Sequence, residues 1–132
     1  MVVDTTPPEG VTNNRWIEVN LFEVFGASDR LGSGPYAELD PDTVKEVLRE
    51  VRTLCEGPLA ESFVDADRNP PKYDPATMSV TMPESFAKSY KTLMESDFWR
   101  LDLPEHLGGS GAPPSIRWSV AEMILGANPA LY

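Results

Sequence analysis

The residues that could do chemistry in this chain fall into a few small groups, and each points to a different reaction. LDLPEHLGGSGAPPS, residues 101–115, places Gly108, Gly109 and Gly111 in one short loop. Glycine-rich backbone of this kind can cradle a phosphate or bend through conformations closed to other residues. A dinucleotide-binding G-x-G-x-x-G turn needs a strand in front of it and a helix directly behind. Gly108-Gly109-Ser110-Gly111 has neither that spacing nor the strand. The reading that remains is steric: the loop turns through positive φ and lies close against a neighbouring surface, protein or ligand.

His106 beside Glu105 is the only histidine, and Cys55 the only cysteine. An intrachain disulfide is therefore impossible, and a Cys/His zinc site has no ligand set. Asp65, Asp67 and Asn69 are superficially similar to a calcium loop, but Pro70-Pro71 interrupts it and no bidentate Glu closes it. The carboxylate pairs Asp65 with Asp67, Glu18 with Glu23 and Asp40 with Asp42 have no spacing that sets one acid apart from its neighbour for acid/base work. Read from the residues alone, the chain has no catalytic, metal-ligating or cofactor-binding set.

The elements that would position any site are helical. A chain of 132 residues with 41% apolar content is one domain long and can bury roughly two thirds of its unfolded surface. Its formal net charge of −10 opposes phosphate backbones and anionic membranes, so neither nucleic acid nor a membrane surface is expected as a partner. No run of about eighteen apolar residues and no leader-like start is present, and with one cysteine a cytoplasmic location is expected.

Residues 1–14, rich in Thr, Pro, Asn and Gly, read as a flexible tail. Residues 15–39 read as an extended arm and loop: RWIEVNLFEVFG is densely apolar but fits neither a period of 2 nor one of 3.6. Asp40 is a good N-cap with Pro41 behind it, and Val44, Val47, Leu48, Val51, Leu54 and Cys55 recur at helical spacing. Gly57-Pro58 should kink that helix, while Leu59 and Phe63 carry the stripe to about Asp67. Lys72-Tyr73 and Ser79-Val80-Thr81 pair as a minimal hairpin. A second helix follows Pro83 with Phe86, Tyr90, Leu93 and Met94 on its buried face and ends near Ser96.

The third helix, expected to be capped by Ser115 and to run to about Gly126, is apolar on two sides. Ile116, Val120, Met123, Ile124 and Ala127 form one flank and Trp118, Ala121 and Leu125 another. Such a helix calls for cover on both. With Leu131-Tyr132 following so soon and no polar tail, the chain reads as cut rather than finished.

LDLPEHLGGSGAPPSIRWSVAEMILGANPAL resembles a block of the acyl-CoA dehydrogenases, in which a turn of the form x-Pro-Glu-x-x-Gly-Gly-x-Gly leads into a helix. Leu103, Pro104, Glu105, Gly108, Gly109, Gly111, Ala121, Glu122, Gly126 and Ala127 hold the matching positions. EVRTLCEGPLAESFVDADRNPP is similar to the family's first long helix. NLFEVFG and GPYAELD together with GPLAESFVDADRNPP look like a bacterial branch with an extended N-terminal arm and broad fatty acyl-CoA substrates. The resemblance covers about residues 20–132.

The resemblance implies an all-α fold, with residues 40–132 as an incomplete N-terminal helical domain of an FAD-dependent enzyme of fatty acid β-oxidation. Its partners would be the enzyme's middle and C-terminal domains or a partner subunit, fatty acyl-CoA, and further copies in an oligomer. It also implies that FAD and the proton-abstracting carboxylate belong to the complete enzyme, with none expected on this chain alone. Ala130, Leu131 and Tyr132 are then candidate substrate-binding residues in the acyl-pocket wall. The alternative is a non-catalytic, stand-alone helical interaction module or subunit. An independent small-molecule binder lacks a visible polar site.

Overall fold

The computed structural model describes residues 14–132, so the flexible tail expected over residues 1–14 lies outside the described residues except for Asn14. The order of elements is α1 (Asn14–Glu18), α2 (Pro41–Leu54), α3 (Phe63–Arg68), the hairpin strands β1 (Lys72–Asp74) and β2 (Ser79–Thr81), α4 (Glu84–Glu95) and α5 (Pro114–Ala127), joined by short 3-10 and π turns. The fold is all-α with one antiparallel hairpin, as the sequence implied.

The arm is wound rather than extended. α1 runs directly into a π-helical turn, Val19–Val24, closed by the Phe25 N–H donating to the Asn20 carbonyl at 2.9 Å. A π turn repeats more slowly than an α-helix, which is why the apolar residues fitted neither common period. Ile17 and Leu21 turn into the core, while Trp16, Val24 and Phe25 stay exposed. Asn14 is buried, and its Nδ2 donates to the Leu48 carbonyl of α2 at 3.2 Å, tying the arm down.

α2 begins as its sequence dictates. The Asp40 carboxylate accepts from the Asp42 and Thr43 N–H groups at 2.9 and 2.8 Å, satisfying two of the donors that a helix start leaves over. Val44, Leu48 and Val51 form its buried stripe. At Gly57-Pro58 the rod becomes a π turn, Cys55–Leu59, then a 3-10 turn, Ala60–Ser62, and re-enters α-geometry as α3. Proline has no N–H to give the preceding turn. Two carbonyls at this break are taken up by side chains from distant elements: Ser89 Oγ donates to Pro58 O at 2.7 Å and Asn128 Nδ2 to Leu59 O at 3.2 Å.

Those bonds set the packing of the last two helices. α4 turns Ser89 and Leu93 inward, not Tyr90, which is 47% exposed. The sequence reading put Tyr90 on the buried face; the hydroxyl bond from Ser89 to the break rotates it outward, where its ring stacks on half-buried Phe86 with centroids 6.4 Å apart. α5 packs on α2 and on the 55–59 turn, and Leu48, Leu59, Leu93, Ile116, Met123 and Ile124 are almost completely enclosed between them. Ser115 is not the cap of α5. The helix starts two residues earlier than a Ser115 cap would place it, with Pro113 at the cap position and Pro114 as its first residue, whose fixed φ already suits a first turn, and no side chain caps it. No described helix is long and apolar enough to cross a membrane.

Candidate functional site

The glycine loop is a backbone clasp. Gly108 N–H donates to Glu105 O at 2.8 Å, Gly109 to Pro104 O at 3.3 Å, Gly111 to Leu103 O at 3.0 Å and Ala112 to Leu101 O at 2.8 Å. Ser110 Oγ adds a bond to Leu101 O at 3.0 Å. Gly108 and Gly111 sit at φ +82° and +61°, where side chains are strained. Gly109 is required for a different reason: a Cβ there would lie 2.0 Å from Leu103 O and 2.6 Å from Arg100 O. With these amides turned inward, the loop does not fit a flavin pyrophosphate, which needs free N–H groups. It folds the chain back so that α5 leaves in a fixed direction.

α5 presents the two flanks separately. Ile116, Val120, Met123, Ile124 and Ala127 are buried in the chain's own core, and small Ala121 is buried with them. Trp118 and Leu125 are 62% and 40% exposed. The Arg117 guanidinium lies between two rings, 4.8 Å from the centroids of both Trp118 and Tyr132, and its Nε is 3.6 Å from an Asp102 carboxylate oxygen of the clasp. Its Nη1 is covered and has no hydrogen-bond partner among the described residues. The Arg117 wedge was not legible in sequence, because Tyr132 reaches it only after the chain has turned at Asn128.

That turn is made by a buried amide. Asn128 Nδ2 donates to Leu59 O and to Ser62 Oγ at 3.2 and 3.0 Å, and its Oδ1 accepts from Ala130 N at 3.2 Å. Of the three pocket candidates, Leu131 is buried in the core, whereas Ala130 and Tyr132 present open surface. Ala130 also lines an apolar groove of about 540 Å³, walled by Phe63, Pro70, Pro71, Met82, Phe86 and Pro129. Sequence reasoning missed this groove, whose lining comes from separate parts of the chain.

Of the remaining chemistry-bearing residues, Asp67 lies in the lining of that groove. His106 is exposed in a 3-10 turn of the clasp. Asp65 accepts from Ser85 Oγ and from Asn69 Nδ2, so Asn69 serves the end of α3. Burial, aided by the charge of Glu56, pushes the Cys55 thiol up to about 12, leaving it a protonated core residue. The Asp40 carboxyl is held below its ordinary value chiefly by the Thr43 N–H.

No protein-family model matches the chain. Over 113 residues it is 49% identical to the broad-specificity linear acyl-CoA dehydrogenase FadE5 of Mycobacterium tuberculosis, a match covering 86% of this chain. Over that span the chain is similar to an acyl-CoA dehydrogenase. The match takes in 18% of the relative's length, so this chain corresponds to a fragment of such a dehydrogenase. Its all-helical architecture fits the family's N-terminal domain.

Proposed function

We propose that the chain is the N-terminal helical part of an FAD-dependent acyl-CoA dehydrogenase, acting in the soluble phase of the cell in fatty acid β-oxidation. The complete enzyme would oxidise a linear acyl-CoA to its trans-2-enoyl-CoA. FAD, bound by the remainder of the enzyme, would take up the β-hydride after a carboxylate there removes the α-proton. What this chain's own residues contribute is enclosure: α5 would stand between its own core and the middle and C-terminal domains, keeping water from the acyl chain.

The observation that carries this reading is the identity to FadE5 over most of the chain. The open flank of α5 supports it, since Trp118, Leu125 and Tyr132 form an apolar surface of the kind that another protein layer covers. Ala130 and Tyr132 would reach the acyl wall directly, and buried Leu131 would hold them in place from behind. The complete enzyme would be an oligomer.

The same open flank favours a second reading, a stand-alone helical module or subunit that docks a partner without chemistry of its own. The coding sequence after codon 132 and the mass of the native polypeptide separate the two. Continuation into flavin and base-bearing domains supports the dehydrogenase, and a stop codon supports the module. In the complete enzyme, Tyr132→Ala should change the preference for acyl length while flavin content stays the same; an unchanged chain-length profile would remove Tyr132 from the wall.

A further inference from the structure

The arm and the start of α5 enclose a second cavity, of about 490 Å³, which shares no lining residue with the groove at Ala130. Leu21, Phe25 and Leu31 come to it from the arm and Pro113 and Pro114 from α5, two segments far apart in the chain. Leu21 and Leu31 are buried in the core, so the cavity is anchored there before anything enters it.

Its walls are ordered in advance. On the arm's side Leu31 N–H donates to Ala27 O at 3.1 Å, Gly32 N–H to Tyr36 O at 3.0 Å and to Leu39 O at 2.9 Å, and Ser33 Oγ to Arg30 O at 2.9 Å. On the other side stand two consecutive prolines, whose φ angles are fixed. A space of this volume is the size of an ordinary small-molecule site, and a preformed one loses little entropy on binding.

Three polar side chains converge on this apolar space: Arg30, Tyr36 and Ser115. Among the described residues none of the three side chains makes an ion pair or a hydrogen bond. Arg30 is the one charged residue in the lining, and no carboxylate joins it there, although acids outnumber bases 21 to 11 in the whole chain.

Charge and shape select the occupant. A single guanidinium matches a single carboxylate, which it can hold with two parallel bonds. A phosphate carries more negative charge than that one cation offsets, in a chain whose net charge is −10. The Phe25 and Tyr36 rings and two pyrrolidine rings supply flat apolar faces, on which an aromatic body gains more than its area alone gives. The groove at Ala130 has the opposite character, since its lining charge is Asp67.

We propose that this cavity is a binding site for a small aromatic carboxylate. Arg30 pairs with the carboxylate, the Tyr36 and Ser115 hydroxyls donate to its remaining lone pairs, and the ring lies against Phe25, Leu31 and Pro114. The site goes beyond the dehydrogenase reading and does not depend on it.

NMR titration of the 132-residue chain with 2-naphthoate, and with 2-naphthamide as its uncharged counterpart, tests this. Saturable shifts are expected at Leu31, Tyr36 and Ser115, with dissociation on the order of 0.1–1 mM and the amide bound at least about tenfold more weakly. Arg30 is exposed, so Arg30→Gln should leave the fold intact while weakening naphthoate at least about tenfold and the amide not at all. Asp67→Asn, in the other groove, should change neither. No saturation below about 10 mM, equal binding of acid and amide, shifts gathered around Phe63 and Phe86 instead, or a site that a longer polypeptide containing this chain no longer offers would each overturn the proposal.

Discussion

The Cα of Gly109 passes so near the Leu103 carbonyl that a Cβ on Gly109 would lie 2.0 Å from its oxygen. Backbone atoms on both sides of the clash cannot swing aside as a side chain would. Gly109→Ala should therefore open the clasp, at a cost of about 2–4 kcal/mol. Thermal unfolding measures it, and a melting temperature equal to wild type would mean that the clasp is not formed as described.

Asn128 joins the end of α5 to the break at Leu59 and Ser62 through a fully buried side chain. Asn128→Ala leaves the Leu59 carbonyl and the Ser62 hydroxyl with one partner fewer away from water. The expected loss is about 2–4 kcal/mol. It should be read as a lower denaturant midpoint with unchanged slope, so that the effect belongs to stability and not to compactness.

The Asp40 cap carries a pH dependence. Its folded-state pKa is depressed below 3.8, first by the Thr43 N–H and further by bonds from the Thr43 side chain and Asp42 N–H. A depressed carboxyl adds stability that is full above the unfolded pKa and is lost as pH falls through the folded one. Asp40→Ala should thus be less stable than wild type at neutral pH, and the gap should narrow on acidification below about pH 4. Asp40→Asn, which keeps an acceptor, should lose less. A gap that stays constant down to pH 2 would speak against this role.

Cys55 combines complete burial with a thiol pKa pushed to about 12. At pH 8 the native chain should leave a disulfide-exchange reagent such as DTNB unreacted for as long as it stays folded, since only the thiolate attacks. In denaturant one thiol per chain should titrate at once. Rapid reaction of the native chain would show that the core around α2 opens far more readily than its packing implies.

The polypeptide's local order was legible wherever a single stretch carried its own signal. Asp40-Pro41 announced α2, Gly57-Pro58 its interruption, and the short segments Lys72-Tyr73 and Ser79-Val80-Thr81 the hairpin. The arm at Val19–Val24 was illegible because a π turn spreads its apolar residues over a spacing that neither common period matches. Tyr90 was misplaced because the rotation of α4 is decided by Ser89 reaching Pro58, a bond between residues 31 apart in the chain.

By themselves, the residues settled an all-helical fold, the need for glycine in the clasp, and the resemblance to a dehydrogenase fragment. These depend on backbone sterics and on periodicity within one segment. Tertiary structure alone decided that Asn128 anchors to Leu59, that Arg117 lies between Trp118 and Tyr132, and that the greasy sides of α5 and the hairpin divide into covered and open faces. Each is a relation between distant segments or a competition for one core, and no local stretch of sequence encodes which residue wins the interior.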